Sequence, residues 1–222
     1  MFFSPFAIIY FFVFLFILFL LFAFIQIGVI TIAFAKIGLS PAQAFGFLLF
    51  SLIGSHINIP IKRIASKEIN APDTVRYFGV TYKVPGRNAA GSVIAINLGG
   101  AIVPVFLSAY LLVKQGLIFE PLLGALLVTI ISYWLARPVP KVGIALPVFI
   151  APLLSALVAV MLSSGQHAPV VAYISGVIGT LVGADILHLK DVKQLDAPVV
   201  SIGGAGTFDG IFLTGIIAVL LA

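Results

Sequence analysis

Cysteine is absent from this chain of 222 residues, and charged residues make up only 9% of it. The lack of cysteine excludes disulfide bonds, thiolate metal sites and cysteine nucleophiles. Soluble domains carry about 25% charged residues, so the shortage of charge argues against a soluble protein. The sequence also has no His-Glu-x-x-His, no Gly-x-Ser-x-Gly and no phosphate loop, which removes three common enzyme signatures.

Apolar residues, by contrast, make up 62% of the chain and form long uninterrupted runs. A segment that crosses lipid is a helix or part of a closed barrel, and barrel strands are only about 10 residues long. We therefore predict an all-α bundle of seven transmembrane helices, with residues 1–222 forming a single membrane domain. The predicted helices cover approximately residues 5–35, 41–60, 88–113, 117–136, 142–164, 169–189 and 198–222. The first run is too long, and too poor in basic residues, for a signal peptide.

The basic residues predict the orientation of these helices. Ten of the twelve lysines and arginines lie in the loops after predicted helices two, four and six, and two lie in the other loops. The positive-inside rule then places the N-terminus in the cytoplasm and the C-terminus outside. The net charge of +5 thus reflects topology rather than a surface for nucleic acid. The expected partner is a lipid bilayer, and the expected location is the plasma membrane.

The loop of residues 61–87 is the only long polar segment, and we place it in the cytoplasm. Apolar and polar side chains alternate over residues 80–84, which predicts a short hairpin or an edge strand. Such a segment is either a small structural turn or an edge that pairs with an extended partner.

Two of the seven acids, Asp185 and Asp209, fall inside predicted spans. An ionised carboxylate at membrane depth is costly, so both are candidate functional residues. The link between helices six and seven is short, so the two acids are expected on antiparallel neighbours in the cytoplasmic half. Alternatively, Asp185 reaches toward Lys190 and the headgroups, and Asp209 is a neutral acid bonded by Thr214 or Asn97.

Two carboxylates that face each other would share one proton. One then acts as general base on water while the other protonates a substrate carbonyl, which is the chemistry of aspartic proteases. A second hypothesis is a small proton or cation site formed by Asp185, His188 and Asp209, because His188 lies on the same helical face as Asp185. Oxygen and imidazole ligands do not single out a metal, and we assign no metal or cofactor. A single histidine near a helix end is also simply interfacial.

The glycines Gly203, Gly204 and Gly206 predict a break, or a close backbone approach, at the start of helix seven. Transporters build binding sites from such broken helices, so these glycines, His188 and Asn97 are the candidate binding residues. Small residues also promote helix packing without any further role. A similar Gly-Gly-Ala triplet begins at Gly99.

The ending Gly203-Gly-Ala-Gly-Thr-Phe-Asp-Gly-Ile-Phe-Leu-Thr-Gly215 resembles a family of archaeal and bacterial multi-pass membrane proteins of unknown function. Ala184-Asp185 and Gly204-Ala205-Gly206 are loosely similar to motifs of the presenilin-like intramembrane aspartyl proteases, as is Ile144-Ala145-Leu146-Pro147. Here Asp209 follows the last glycine by three residues rather than one, and the Leu-Pro segment precedes the acids rather than following them. This similarity implies an aspartyl peptidase that cleaves a transmembrane-helix substrate. The alternatives are a cation- or proton-coupled transporter or channel, and a non-catalytic subunit or assembly factor bound to a partner subunit.

Overall fold

A computed structural model describes residues 5–64, 74–77, 80–83, 92–139, 143–163, 165–191, 197, 199–204 and 210–222. The α-helices are α1 Pro5–Lys36, α2 Pro41–Gly54, α3 Val103–Gln115, α4 Phe119–Leu135, α5 Ile150–Leu162, α6 Ala168–Thr180 and α7 Gly210–Leu221. The strands are β1 Asn58–Ile64, β2 Thr74–Tyr77, β3 Val80–Lys83, β4 Ser92–Asn97, β5 Arg137–Val139, β6 Gly143–Ala145 and β7 Val199–Ile202. Two π-helical segments, Leu98–Ile102 and Leu181–Ile186, precede α3 and follow α6.

The described part of the chain is mostly helical, but its strands correct the all-α prediction. Residues 58–60, 92–97, 143–145 and 199–202 are strands where the sequence predicts parts of helices two, three, five and seven. Short apolar runs do not distinguish a strand from a buried helix by periodicity alone. These runs are rich in isoleucine and valine, whose β-branched side chains favour strands, although they count as apolar residues in any hydropathy window.

A three-stranded sheet in the order β1-β4-β7 joins distant parts of the chain. β4 pairs antiparallel with β1 and parallel with β7, with Ile96 opposite both Ile59 and Ile202. The register shifts between Pro60 and Lys62, which is the kind of irregularity that accommodates proline in a strand. Two separate antiparallel pairs, β2–β3 and β5–β6, complete the strands. The β2–β3 pair lies where the sequence predicts a hairpin.

Helix lengths bear on the number of membrane spans. Among the residues that the structure describes with their side chains, two helical stretches, Leu98–Gln115 and Gly165–Asp191, are long and apolar enough to cross a bilayer. A third candidate is the pair Ile27–Lys36 and Pro41–Gly54, which is bent by 113°. The apolar helices α4 and α5 have 17 and 13 residues, roughly 20–26 Å at the α-helical rise, against about 30 Å of hydrocarbon. Seven spans and the orientation therefore remain predictions.

The bend between α1 and α2 has a local cause. Gly38 adopts φ 78°, which lets the chain reverse without a steric penalty. The next helix then starts at a capping box, in which Ser40 and Gln43 exchange side-chain and backbone hydrogen bonds. Each residue from 12 to 20 in α1 is exposed and apolar, as expected for a helix whose solvent is lipid.

Helix α6 is the centre of the bundle and packs against α4, α5 and α7. Nearly all of its residues are buried, among them Tyr173, Ile174 and Val177. At its end, Gly183 lies so close to α4 that an added Cβ would overlap the carbonyl oxygen of Thr129. This close approach fixes the π-helical segment that follows α6 against α4.

Two parts of the chain share an order of elements and a sequence motif. Residues 51–57, Ser-Leu-Ile-Gly-Ser-His-Ile, end α2, and residues 180–186, Thr-Leu-Val-Gly-Ala-Asp-Ile, end α6. The first motif is followed by β1 and later by β4, and the second is followed by β7; β4 and β7 each precede a Gly-Gly-Ala sequence and a final helix. We call α2, β1, β4 and α3 with their connections the first repeat, and α6, β7 and α7 the second repeat. The parallel β4–β7 pair joins the two.

Candidate functional site

Asp185 lies in the π-helical segment at the end of α6, and its carboxylate bridges to the second glycine-rich segment. Its Oδ2 atom accepts a hydrogen bond of 2.7 Å from the backbone N–H of Gly203, directly after β7. A π-helical turn is wider than an α-helical one and occurs often at functional sites. The side chain is half-buried.

A cavity of about 280 Å³ opens beside Asp185. Its walls come from β6 and the following residues 146–148, from the end of α6, from β7, and from the first turns of α7. The polar side chains in the wall are those of Asp185, Thr180, Ser201 and Thr214. Within the described part of the chain, the buried hydroxyl of Thr180 has no hydrogen-bond partner. Among the described residues, the cavity wall is thus mostly apolar and includes one acid and three residues that carry a hydroxyl group.

The cavity runs along strand edges rather than under a sheet face. Successive side chains of a strand point to opposite faces, so a cavity under one face touches alternate residues. This cavity touches every residue of β7 and every residue of β6. In the three-stranded sheet β7 is one of the two edge strands, and β6 pairs only with β5 among the described strands. On two sides, the cavity therefore borders a strand edge that has no partner among the described strands.

His188 does not line the cavity. It is buried, its Nδ1 lies 3.1 Å from the carbonyl oxygen of Gly183, and its ring lies 4.8 Å from that of Tyr133. It is not among the residues that line the cavity. No group of three potential metal ligands occurs among the residues that the structure describes. The described contacts give His188 a packing role between the end of α6 and α4.

Both polar atoms of the Asn97 side chain are hydrogen-bonded within the first repeat. Its side-chain amide donates to the carbonyl oxygen of Ser55 at 2.7 Å and to Asn58 Oδ1 at 3.1 Å. Its Oδ1 atom accepts from the N–H of Gly100 at 2.7 Å, which caps the π-helical segment before α3. Asn97 is 1% exposed and does not line the cavity of Asp185. These hydrogen bonds give Asn97 a structural role at the junction of α2, β1 and β4.

The glycine-rich segment begins as the sequence predicts, with non-helical backbone. Gly203 and Gly204 have φ values of 84° and 117°, and Gly204 lines the cavity. Gly206 and Asp209 lie outside the described residues, so the distance between Asp185 and Asp209 stays a prediction. The described residues on the far side of that segment, Ile211 and Thr214, line the same cavity as Asp185.

Thr180 and Ser201 are not among the site residues predicted from the sequence, and Leu146-Pro147 enters only as part of a resemblance. The signal that would have found Thr180 is the repeat, because residues 180–186 match residues 51–57 and place Asp185 at the position of His56. No local signal marks Ser201, which reaches the site only through the pairing of β7 with β4.

Comparison with protein families places most of the chain in a known family. The family model described as protein of unknown function DUF1614 matches residues 52–221. The chain belongs to this family. The DUF1614 region includes β1–β7, the cavity and α3–α7, whereas α1 and most of α2 precede it. This agrees with the predicted membership in a family of unknown function.

None of the curated proteins and none of the solved structures matches the chain. The similarity to presenilin-like proteases thus has no support beyond the short motifs, and the DUF1614 family supplies no activity.

Proposed function

We propose that this DUF1614 protein is an intramembrane peptidase of the aspartyl type, with Asp185 and Asp209 as its catalytic acids. The observation that carries the proposal is the placement of Asp185. Asp185 lines a cavity that borders β6 and β7 along edges with no partner among the described strands, and it lies within an apolar helical stretch of spanning length. An acid in a concave, largely apolar site is the arrangement expected where a carboxyl group does chemistry.

The hydrogen bond from Gly203 gives Asp185 a fixed orientation. Oδ2 is held by the backbone N–H, which leaves Oδ1 for a second acid or a water molecule. Asp209 precedes Ile211 by two residues, and Ile211 is part of the cavity wall. In the proposed reaction one carboxylate takes a proton from water, the other gives a proton to the peptide carbonyl, and the water oxygen bonds to the carbonyl carbon. When that gem-diol intermediate collapses and its C–N bond breaks, the acid that took the water proton gives it to the leaving amine. The other carboxylate takes a proton back from a gem-diol hydroxyl, whose oxygen becomes part of the new carboxyl group.

A second candidate function is cation- or proton-coupled transport. It is favoured by the interruption of the apolar stretch Gly165–Asp191 by a π-helical segment at Asp185. The hydroxyl groups of Thr180, Ser201 and Thr214 line the same cavity and are oxygen ligands of the kind that hard cations accept. In this case Asp185 binds the ion or proton, and no bond is cleaved.

Cleavage in reconstituted vesicles tests the first function. The purified protein is incorporated with single-span helical peptides of differing sequence, and the products are identified by mass spectrometry. We expect cleavage by the wild type, and none by Asp185→Asn or Asp209→Asn. The matched control is Asp191→Asn, because Asp191 lies on the next helical turn but not in the cavity wall. Cleavage that persists in either of the first two variants would remove the dyad.

The same vesicles test the second function without a peptide. A pH-sensitive dye inside them reports proton movement when a pH or sodium gradient is imposed. Transport predicts a flux in the wild type that Asp185→Asn abolishes and Asp191→Asn leaves intact. Neither flux nor cleavage in the wild type would leave the interpretation as a non-catalytic subunit.

A further inference from the structure

The two repeats differ in what lies beside their central strands. In the first repeat β1 follows α2 and pairs with β4 on the side away from β7. In the second repeat the chain after residues 180–186 forms a short 3₁₀ turn, Leu189–Asp191. The three-stranded sheet has no described strand on the matching side of β7, and the cavity lies there instead.

We propose that the outer edge of β7 binds an extended peptide segment by strand addition, in the position that corresponds to β1 of the first repeat. The strand-addition proposal rests on the proposed peptidase function, because that function makes the bound peptide a substrate. It adds that the substrate binds in an extended conformation. Strand addition supplies main-chain hydrogen bonds, which bind any sequence, and side-chain pockets, which select among them.

The direction of the backbone groups supports this edge. In a strand, the N–H and C=O groups of one residue face one edge, and those of the next residue face the other edge. Odd-numbered residues of β7 therefore face one edge and even-numbered residues the other. Gly203 directs its N–H to Asp185, which lines the cavity. Val199 and Ser201 are in phase with Gly203, so their groups face the same side. The carbonyl oxygen of Ser201 accepts from the N–H of Gly204. In the proposed site, it is therefore the N–H of Ser201 that pairs with the ligand.

The size of the cavity suits an extended main chain. Its volume of about 280 Å³ is at the lower limit of small-molecule pockets, which begin at roughly 300 Å³, so it suits a short extended stretch rather than a folded unit. A segment paired with β7 passes Asp185 at the Gly203 end of the strand. Its peptide carbonyls then come within reach of the carboxylate, which connects binding to the proposed chemistry.

Proline substitution tests the edge inside the intact protein. Ser201→Pro removes the N–H that faces the cavity, and proline is tolerated on an edge strand where that N–H makes no ladder bond. Ser201→Ala is the matched control, because it removes the hydroxyl but keeps the N–H. The probe is a short, blocked, dye-labelled peptide of alternating valine and threonine, and its fluorescence anisotropy is measured with the protein in nanodiscs and with empty nanodiscs.

We expect saturable binding by the wild type and by Ser201→Ala, and about tenfold weaker binding by Ser201→Pro, the loss of one to two hydrogen bonds. Equal binding by Ser201→Pro would overturn the proposal. A second measurement does not depend on the folding of that variant. The probe is methylated on alternate backbone nitrogens, in one phase or the other, and offered to the wild type. At least one methylated probe must lose binding, since binding of both would exclude pairing with an edge.

Binding is also measured with Asp185→Asn, which keeps an oxygen for the N–H of Gly203. Binding retained by Asp185→Asn while its cleavage is lost is the result expected if both proposals hold. Binding by the wild type without cleavage by the wild type would contradict the proposed peptidase and leave the strand-addition site intact. Cleavage that survives Ser201→Pro, with both methylated probes still bound, would contradict the strand-addition site and leave the peptidase intact.

Discussion

In each repeat a polar side chain forms hydrogen bonds that connect the end of a helix to a Gly-Gly segment, but the side chain differs between the two repeats. In the first repeat Asn97 does so with three hydrogen bonds, to Ser55, Asn58 and Gly100, and it is fully enclosed. In the second repeat Asp185 does so with one described hydrogen bond, from Gly203, and faces a cavity. The first arrangement satisfies every polar atom of the side chain, whereas the second leaves an oxygen available.

This difference separates stabilisation from function. A buried polar group with all its partners stabilises a fold, and removing it leaves those partners unpaired. A carboxylate with a spare oxygen beside a cavity contributes less to stability and is available for a ligand or a proton. We therefore expect substitutions in the first repeat to act mainly on stability, and substitutions at Asp185 to act mainly on function.

The largest effect is expected for Gly99→Ala. An added methyl group would overlap backbone atoms of Ser51 and Ser55 at the end of α2, so the first repeat would have to open. We expect a loss of about 3 kcal/mol or more, seen as a large drop in the thermal unfolding midpoint in detergent. The control is Gly46→Ala, because nothing lies within 4 Å of that position and alanine favours the helix. A small effect of Gly99→Ala would mean that the backbone around Gly99 can move away from the end of α2 at little cost.

The next largest effect is expected for Asn97→Ala. This variant leaves the carbonyl oxygen of Ser55 and the N–H of Gly100 without their partners in a buried place. The expected cost is about 2–4 kcal/mol, from two unsatisfied buried groups. Thermal unfolding of Asn58→Ala gives the comparison, because Asn58 is exposed and its loss should cost about 1 kcal/mol or less. Equal midpoints for the two variants would contradict a structural role of Asn97.

A smaller effect on stability is expected for Asp185→Asn. The amide oxygen still accepts the N–H of Gly203, so only the difference between a charged and a neutral acceptor is lost, about 1 kcal/mol. The unfolding midpoint is measured beside that of Asp191→Asn. A drop as large as that of Asn97→Ala would show that the two repeats use their polar side chains alike, which would remove the basis of the comparison.

The smallest effect is expected for Ser201→Ala. The Ser201 hydroxyl donates to Asn58 Oδ1 at 2.6 Å and so connects the two repeats, but the contact is exposed. Water replaces such a bond, and the cost should be about 0.5 kcal/mol, within a degree or two of the wild-type midpoint. A clear loss of stability would indicate that the repeats depend on this contact to hold together.

The sequence alone predicted the apolar class, a family of multi-pass membrane proteins of unknown function and the longest helices. Helix one was predicted over residues 5–35 and α1 is Pro5–Lys36, while helix four was predicted over residues 117–136 and α4 is Phe119–Leu135. These segments are predictable because hydropathy accumulates along the chain and helical hydrogen bonds are local. Asp185 was singled out for the same reason, as an acid inside an apolar run.

The tertiary structure alone decided which apolar runs are strands and what Asp185 faces. Both depend on residues far apart in the chain: Asn97 bonds Ser55 across 42 positions, and Ser201 bonds Asn58 across 143. The same long-range pairing leaves β7 at the edge of its sheet and brings β6 to the other side of the cavity. Composition and periodicity determine how apolar a segment is, but a strand needs a partner and a cavity needs walls, and neither is local in sequence.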